Sequence, residues 1–191
     1  MIPMWFYKKE KPIYAACQKI IEVVREQNGL LGLDCNWRGN THTQEEMTSI
    51  CDAALTSDIV KLTDVELEHF FGEKDILKGS ERLVREKNKL VAVTLGEDGC
   101  LLRNRNGYVY QPTYAVDVVD TTGAGDCFMG GFLYAFSNGL SMEECGKFGS
   151  AVSAFGISAV GPSTAVPDYE TVLQFIKDSE EGTDNGIQTK I

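Results

Sequence analysis

Between residues 12 and 27 the chain reads PIYAACQKIIEVVREQ, with apolar positions three and four apart. That spacing predicts an amphipathic helix entered at Pro12 and stopped by Gly29. LLGLD at 30–34 drops the helical period and predicts a short buried strand. Thr43 and Glu46 have the spacing of a capping box, so a helix is expected through Met47, Ile50 and Leu55. DIVKL at 58–62 predicts a second buried strand, followed by helices over DVELEHFF and SERLVREKN. LVAVTL at 90–95 is apolar and rich in β-branched residues, as in a parallel strand covered on both faces. CLLRNRNGYVYQP predicts an antiparallel hairpin turning near Asn106-Gly107.

Farther on, VVDTTGAGDCFMGGFLYAF at 118–136 starts as a strand-like run, breaks at two glycines, and continues as an apolar helix through residue 137. A second long helix is expected from Ser141, capped with Glu144, to Ala159. A last short helix spans Asp168 to Lys177, and the terminal SEEGTDNGIQTKI has no core-forming pattern and is expected to fray. Strand and helix alternate, which predicts an α/β fold with a largely parallel sheet.

Composition narrows the partners. With 191 residues, 43% of them hydrophobic, one globular domain with small extensions is expected. The net charge of −10, without a dense Lys/Arg cluster, argues against nucleic acid or an anionic membrane as a partner. A phosphate ligand stays open, because backbone N–H groups at a helix start bind anions without basic side chains. Six widely spaced cysteines contain no C-x-x-C pair, which points to reduced thiols rather than zinc. No signal-like segment or apolar run of roughly 20 residues is present, so a cytoplasmic protein is expected.

The glycine turn carries the chemistry. In open α/β sheets ligands bind where strand ends enter helices. Gly123 and Gly125 allow close backbone approach, and free N–H groups of Gly123, Ala124 and Gly125 would receive an anion. Asp126, in the first helical turn, would accept the proton of an attacking hydroxyl. A carboxylate there also simply stabilises the helix dipole, and spacing alone leaves both readings open.

Asp120-Thr121-Thr122-Gly123-Ala124-Gly125-Asp126 and the helix after it resemble the D-T-x-G-A-G-D signature of ribokinase-like, or PfkB-type, carbohydrate kinases. The resemblance runs from about residue 12 to about residue 177, toward the fructokinase and 2-keto-3-deoxygluconate kinase branch. It implies a three-layer α/β sandwich around a largely parallel sheet, and ATP-dependent phosphoryl transfer to a sugar or sugar-acid hydroxyl. Asp126 would be the base, with Gly123, Ala124 and Gly125 as the anion hole.

Other segments are similar to further family elements. VTLGEDG, with Thr94, Gly96 and Gly99, resembles the T-x-G-x-x-G nucleotide turn, although the same glycines would equally turn a hairpin. Lys61 of DIVKL is assigned with these to the nucleotide. DIVKLTDVELEHF resembles the N-x-x-E region, with Thr63 in place of Asn and Glu66 at the acidic position. That implies magnesium near Glu66; the family also uses a monovalent cation such as K+, here beside Asp120 and Thr122. Thr63 and Glu66 also have capping-box spacing. LDCNWR resembles a D-x-N-x-R element, which would turn Asn36 and Arg38 toward the substrate.

The family's Gly-Gly signature, sugar-binding Asp and β-sheet lid have no counterpart in the chain. Residues 1–180 are therefore expected to be the C-terminal catalytic and nucleotide-binding portion, truncated at the N-terminus, with 181–191 as a flexible tail. Such a portion would be weak or inactive alone, and a complementary N-terminal fragment or a second copy would be its partner. A non-catalytic nucleotide-binding or association module and a nucleoside kinase are the alternatives.

Overall fold

The computed structural model describes residues 2–3, 12–37, 39, 43–85, 90–161, 164–165 and 167–184. Arg38 lies outside them. The chain divides into two compact units, Met1–Gly96 with Leu101–Val109 and Glu97–Cys100 with Tyr110–Ile191.

In order, the elements are β1 (Ile2–Pro3), α1 (Pro12–Glu26), β2 (Gly32–Asp34), α2 (Gln44–Thr56), β3 (Ile59–Thr63), α3 (Asp64–Phe71), α4 (Ile76–Arg85), β4 (Leu90–Thr94), β5 (Cys100–Asn104), β6 (Gly107–Gln111), α5 (Ala124–Ser137), α6 (Met142–Ile157) and α7 (Tyr169–Asp184). The six strands lie side by side in sequence order. β1 to β4 are parallel, while the short links after β4 and β5 permit only antiparallel neighbours. The sheet is thus mixed and mostly parallel, as the alternation of elements predicts.

In the first unit the central strands read as buried runs because helices cover the sheet. Leu33, Val60, Leu62, Val91 and Val93 meet Ile50 of α2, Leu67 of α3 and Leu83 of α4 in one apolar core. Both predicted capping boxes form here, Thr43 with Glu46 and Thr63 with Glu66. α4 starts earlier than SERLVREKN suggests. Asp75 Oδ1 accepts the N–H groups of Leu77 and Lys78 at 3.0 and 3.2 Å and so starts the helix. Gly79 sits inside it because a Cβ there would lie 2.5 Å from Leu67 Cδ2.

The second unit is built on the α5–α6 hairpin and α7. α5 and α6 approach closely where one of them offers glycine. A Cβ on Gly131 would lie 2.8 Å from Phe148 O, and one on Gly156 would lie 2.6 Å from Cys127 Sγ. Gly131→Val is therefore expected to destabilise by about 1–3 kcal/mol. Its neighbour Gly130 faces open space, so Gly130→Ala should stabilise by about 0.5–1 kcal/mol. Urea denaturation of the two variants should show these opposite signs.

α7 continues past Lys177, which corrects the expectation that residues 179–184 fray. Lys147 of α6 pairs with Glu180 at 2.7 Å and Glu143 at 2.9 Å, and Val172 and Ile176 are buried beneath. This tie gives the polar end of the helix something to hold. Residues 185–191, the rest of the expected tail, lie outside the described residues.

Candidate functional site

The glycine turn lies in the second unit. Residues 112–120 form no strand, so the turn does not follow a strand as the β-branched run suggested. Val118 and Val119 are 61% and 55% exposed, and the Val119 and Asp120 N–H groups both donate to Ile157 O, at 2.8 and 3.2 Å. The segment is pinned to the end of α6 instead of to a neighbouring strand.

Asp120 organises the approach. Its Oδ1 accepts Thr122 N–H at 2.9 Å and its Oδ2 accepts Gly161 N–H at 3.0 Å. The Thr122 N–H, then the Thr122 hydroxyl and the Gly161 N–H, hold the Asp120 carboxyl below its ordinary range. Gly123 then takes the left-handed conformation at φ 80°, where a side chain would be strained, and turns the chain into α5.

The donors are not quite those the spacing suggested. Ala124 N–H is directed to Thr121 O at 3.2 Å, while Gly123 O accepts Cys127 N–H at 2.9 Å. The N–H groups of Gly125 and Asp126 make no hydrogen bond with a described residue. These two lie at the positive end of α5, where, with Gly123 N–H, they are able to accept an anion. Ser153 Oγ donates to Ala124 O at 3.1 Å and ties the turn to α6. The Asp126 side chain is exposed one step beyond, on the rim of a cavity of about 380 Å³. Tyr134, Phe148 and Tyr169 give that cavity its aromatic wall.

The first unit brings Asn36, Lys61, Glu66, Thr94 and Gly96 to one edge, the carboxyl ends of β2, β3 and β4. This is where α/β sheets bind ligands. Asn36 follows β2 with φ 43°. Gly96 has φ 61° with open space around its α-carbon, whereas Thr94 Oγ1 reaches only Leu62 O, at 3.5 Å. In the second unit Gly99 is a packing requirement: a Cβ there would lie 2.2 Å from Gln111 O. The hairpin alternative holds for Gly99, and Gly96 is the glycine left accessible.

Lys61 differs from expectation, while Glu66 forms the capping box that its spacing offered. Lys61 is 4% exposed, and its Nζ lies 3.1 and 3.2 Å from the carboxylate oxygens of Asp34, itself 1% exposed. The two residues are register partners on β3 and β2. A lysine committed in this way is a buried ion-pair partner rather than an open phosphate contact. Glu66, 3% exposed, accepts Trp37 N–H at Oε1 and Thr63 N–H at Oε2. Asp34, Trp37 and His69 were not singled out as site residues in the sequence. Trp37 stacks on His69 with centroids 4.1 Å apart. The readable signal was a lone lysine inside an apolar strand, which demands a buried partner.

Comparison with known proteins follows this layout. The pfkB family carbohydrate kinase pattern matches residues 12–169. Fructokinase-1 of Zea mays is 32% identical over 183 residues, covering 87% of this chain and 55% of that protein. Fructokinase-1 of Oryza sativa subsp. japonica is 33% identical over 183 residues, covering 87% and 54%. The crystal structure of fructokinase from Vibrio cholerae O395, in fructose, ADP and calcium ion bound form, superimposes with a TM-score of 0.81 at 27% identity. It covers 92% of this chain and 59% of that one. Aminoimidazole riboside kinase from Salmonella enterica, complexed with aminoimidazole riboside and an ATP analog, gives 0.79 at 28% identity, covering 92% and 61%. The chain spans about half the length of the curated relatives it matches. Signature, ribokinase-like α/β fold and relatives agree, and the chain belongs to the pfkB family of carbohydrate kinases.

Proposed function

We propose that the chain carries the phosphoryl-transfer end of an ATP-dependent sugar kinase of the fructokinase type. The observation that carries this reading is Asp126, at the start of α5 beside N–H groups that bond to no described residue. The Gly123, Gly125 and Asp126 N–H groups receive charge on the transferred phosphoryl oxygens. Asp126 orients the acceptor hydroxyl and takes its proton late, as a loose transition state requires. By resemblance, Asn36 and Arg38 are assigned to the substrate, and Thr94 and Gly96 to the nucleotide.

Magnesium and a monovalent cation were expected at Glu66, Asp120 and Thr122. Both oxygens of Glu66 and both of Asp120 already accept backbone N–H groups. Among the described residues no group of three or more His, Cys, Asp or Glu residues could hold a metal ion. Each of these oxygens keeps a further lone pair, so a cation there would be shared with nucleotide phosphates and water, the usual ligands of magnesium in kinases.

A second reading is a nucleotide-binding or association module without turnover; the commitment of Lys61 to Asp34 favours it, since that ammonium is not left for a phosphate. ADP release across a panel of ketohexoses, aldohexoses, sugar acids and nucleosides, with and without ATP, tests both. Sugar-dependent release supports the kinase reading. ATP binding without release on any acceptor replaces it with the module.

A further inference from the structure

The loop after β2 ends on two buried carboxylates. Asn36 N–H donates to Asp34 Oδ1 at 3.2 Å, and Trp37 N–H donates to Glu66 Oε1 across 29 residues of sequence. Asp34 is neutralised by Lys61 of β3. Glu66 also holds Thr63 N–H at 2.7 Å, so one carboxylate both caps α3 and grips the loop. The Trp37 ring reinforces the grip by stacking on His69 and packing edge-on to Phe70, both on α3.

Asn36 sits between these anchors in the left-handed region, at φ 43°. A non-glycine residue stays there only when its surroundings hold it, although Asn tolerates the region better than most. Two N–H donors converge on Glu66, and a carboxylate accepts at both oxygens. A glutamine would turn an NH2 group toward one of the donors.

We propose that Glu66 is a positioning residue: it clamps the Asn36–Trp37 loop to α3 and so presents Asn36 to the acceptor. The role of Asn36 rests on the kinase reading above; the clamp itself does not.

Backbone amide exchange followed by NMR on the full chain tests the clamp. Glu66→Gln should speed exchange at Trp37 roughly tenfold to hundredfold, as loss of a hydrogen bond to a buried charge implies. Thr63→Ala removes the other half of the cap, in which Thr63 Oγ1 accepts Glu66 N–H at 3.1 Å. It should leave Trp37 protected. Glu66→Asp keeps the charge but draws the carboxylate back by one methylene; it should also speed exchange at Trp37, and this arm decides the matter if Glu66→Gln does not fold.

Unchanged Trp37 exchange in Glu66→Gln or, where that does not fold, in Glu66→Asp, or equal loosening in Thr63→Ala, overturns the proposal. Where sugar-dependent turnover is measurable, Glu66→Gln should raise the acceptor KM more than the ATP KM, and should add nothing further to Asn36→Ala. Additive effects of the two substitutions overturn the link to Asn36. Absence of turnover in the unmodified chain counts against the kinase reading alone, and the amide arm stands.

Discussion

Asp126→Ala is expected to lower sugar-dependent ADP release by about 10²–10⁴-fold, the usual contribution of a positioned general base. Nucleotide affinity should hardly change, because the N–H groups of Gly123 and Gly125 belong to the backbone and survive the substitution. The loss should appear in kcat, since a proton-accepting carboxylate is needed in the transition state more than for binding. Removing the charge from the first turn of α5 costs a further ~0.3–1 kcal/mol of helix stability, too little to unfold the unit. Steady-state kinetics paired with calorimetric ATP titration separates the terms. Turnover that persists in Asp126→Ala removes the residue from the role of base.

Lys61→Met carries the largest expected stability effect. Lys61 and Asp34 are both almost wholly buried, and the lysine neutralises the aspartate across adjacent strands. Removing the ammonium alone leaves a carboxylate inside the protein without its counter-charge, at a cost of about 3–5 kcal/mol. That is a large part of the ~5–15 kcal/mol that holds a domain together. Removing both charges, as in Asp34→Asn with Lys61→Met, should recover most of the loss, because the pair itself contributes little net stability once desolvation is counted. Urea midpoints of the single and double variants measure this. Equal destabilisation in both would mean that packing around the methylenes of Lys61, not charge, sets the cost.

Much of this architecture was legible because local rules and tertiary demands agreed. The capping pairs Thr43–Glu46, Thr63–Glu66 and Ser141–Glu144 all form as spaced. The apolar runs IVKLT and LVAVT became central strands because only a doubly covered sheet satisfies them. The β-branched run before Asp120 was misleading. β propensity describes fit to a pleated surface, and Val118 and Val119 pair with no strand among the described residues. α4 was misplaced by its internal glycine, whose cost is offset by the close packing of Leu67.

At the site, the signature located the turn, while the roles of Lys61 and Glu66 depended on information no spacing contains. Whether a charged side chain faces a ligand or a buried counter-charge depends on strand register, and Asp34 opposite Lys61 is a register fact. The capping-box alternative for Glu66 was readable, yet its second bond, to Trp37, comes from a loop 29 residues away.

The close helix hairpin has a consequence for how a ligand is met. Gly156 brings α6 against Cys127, one residue past Asp126, and Ser153 holds Ala124 O. The donor end of α5 is thereby backed by a second helix at near-minimal separation, with no slack into which it can retreat or rotate. Under the kinase reading proposed above, an arriving phosphoryl group would meet dipoles already pointing at it, and little reorganisation energy would be spent in turning them. The wall stays still, so the motion of any catalytic cycle has to be made by what faces it.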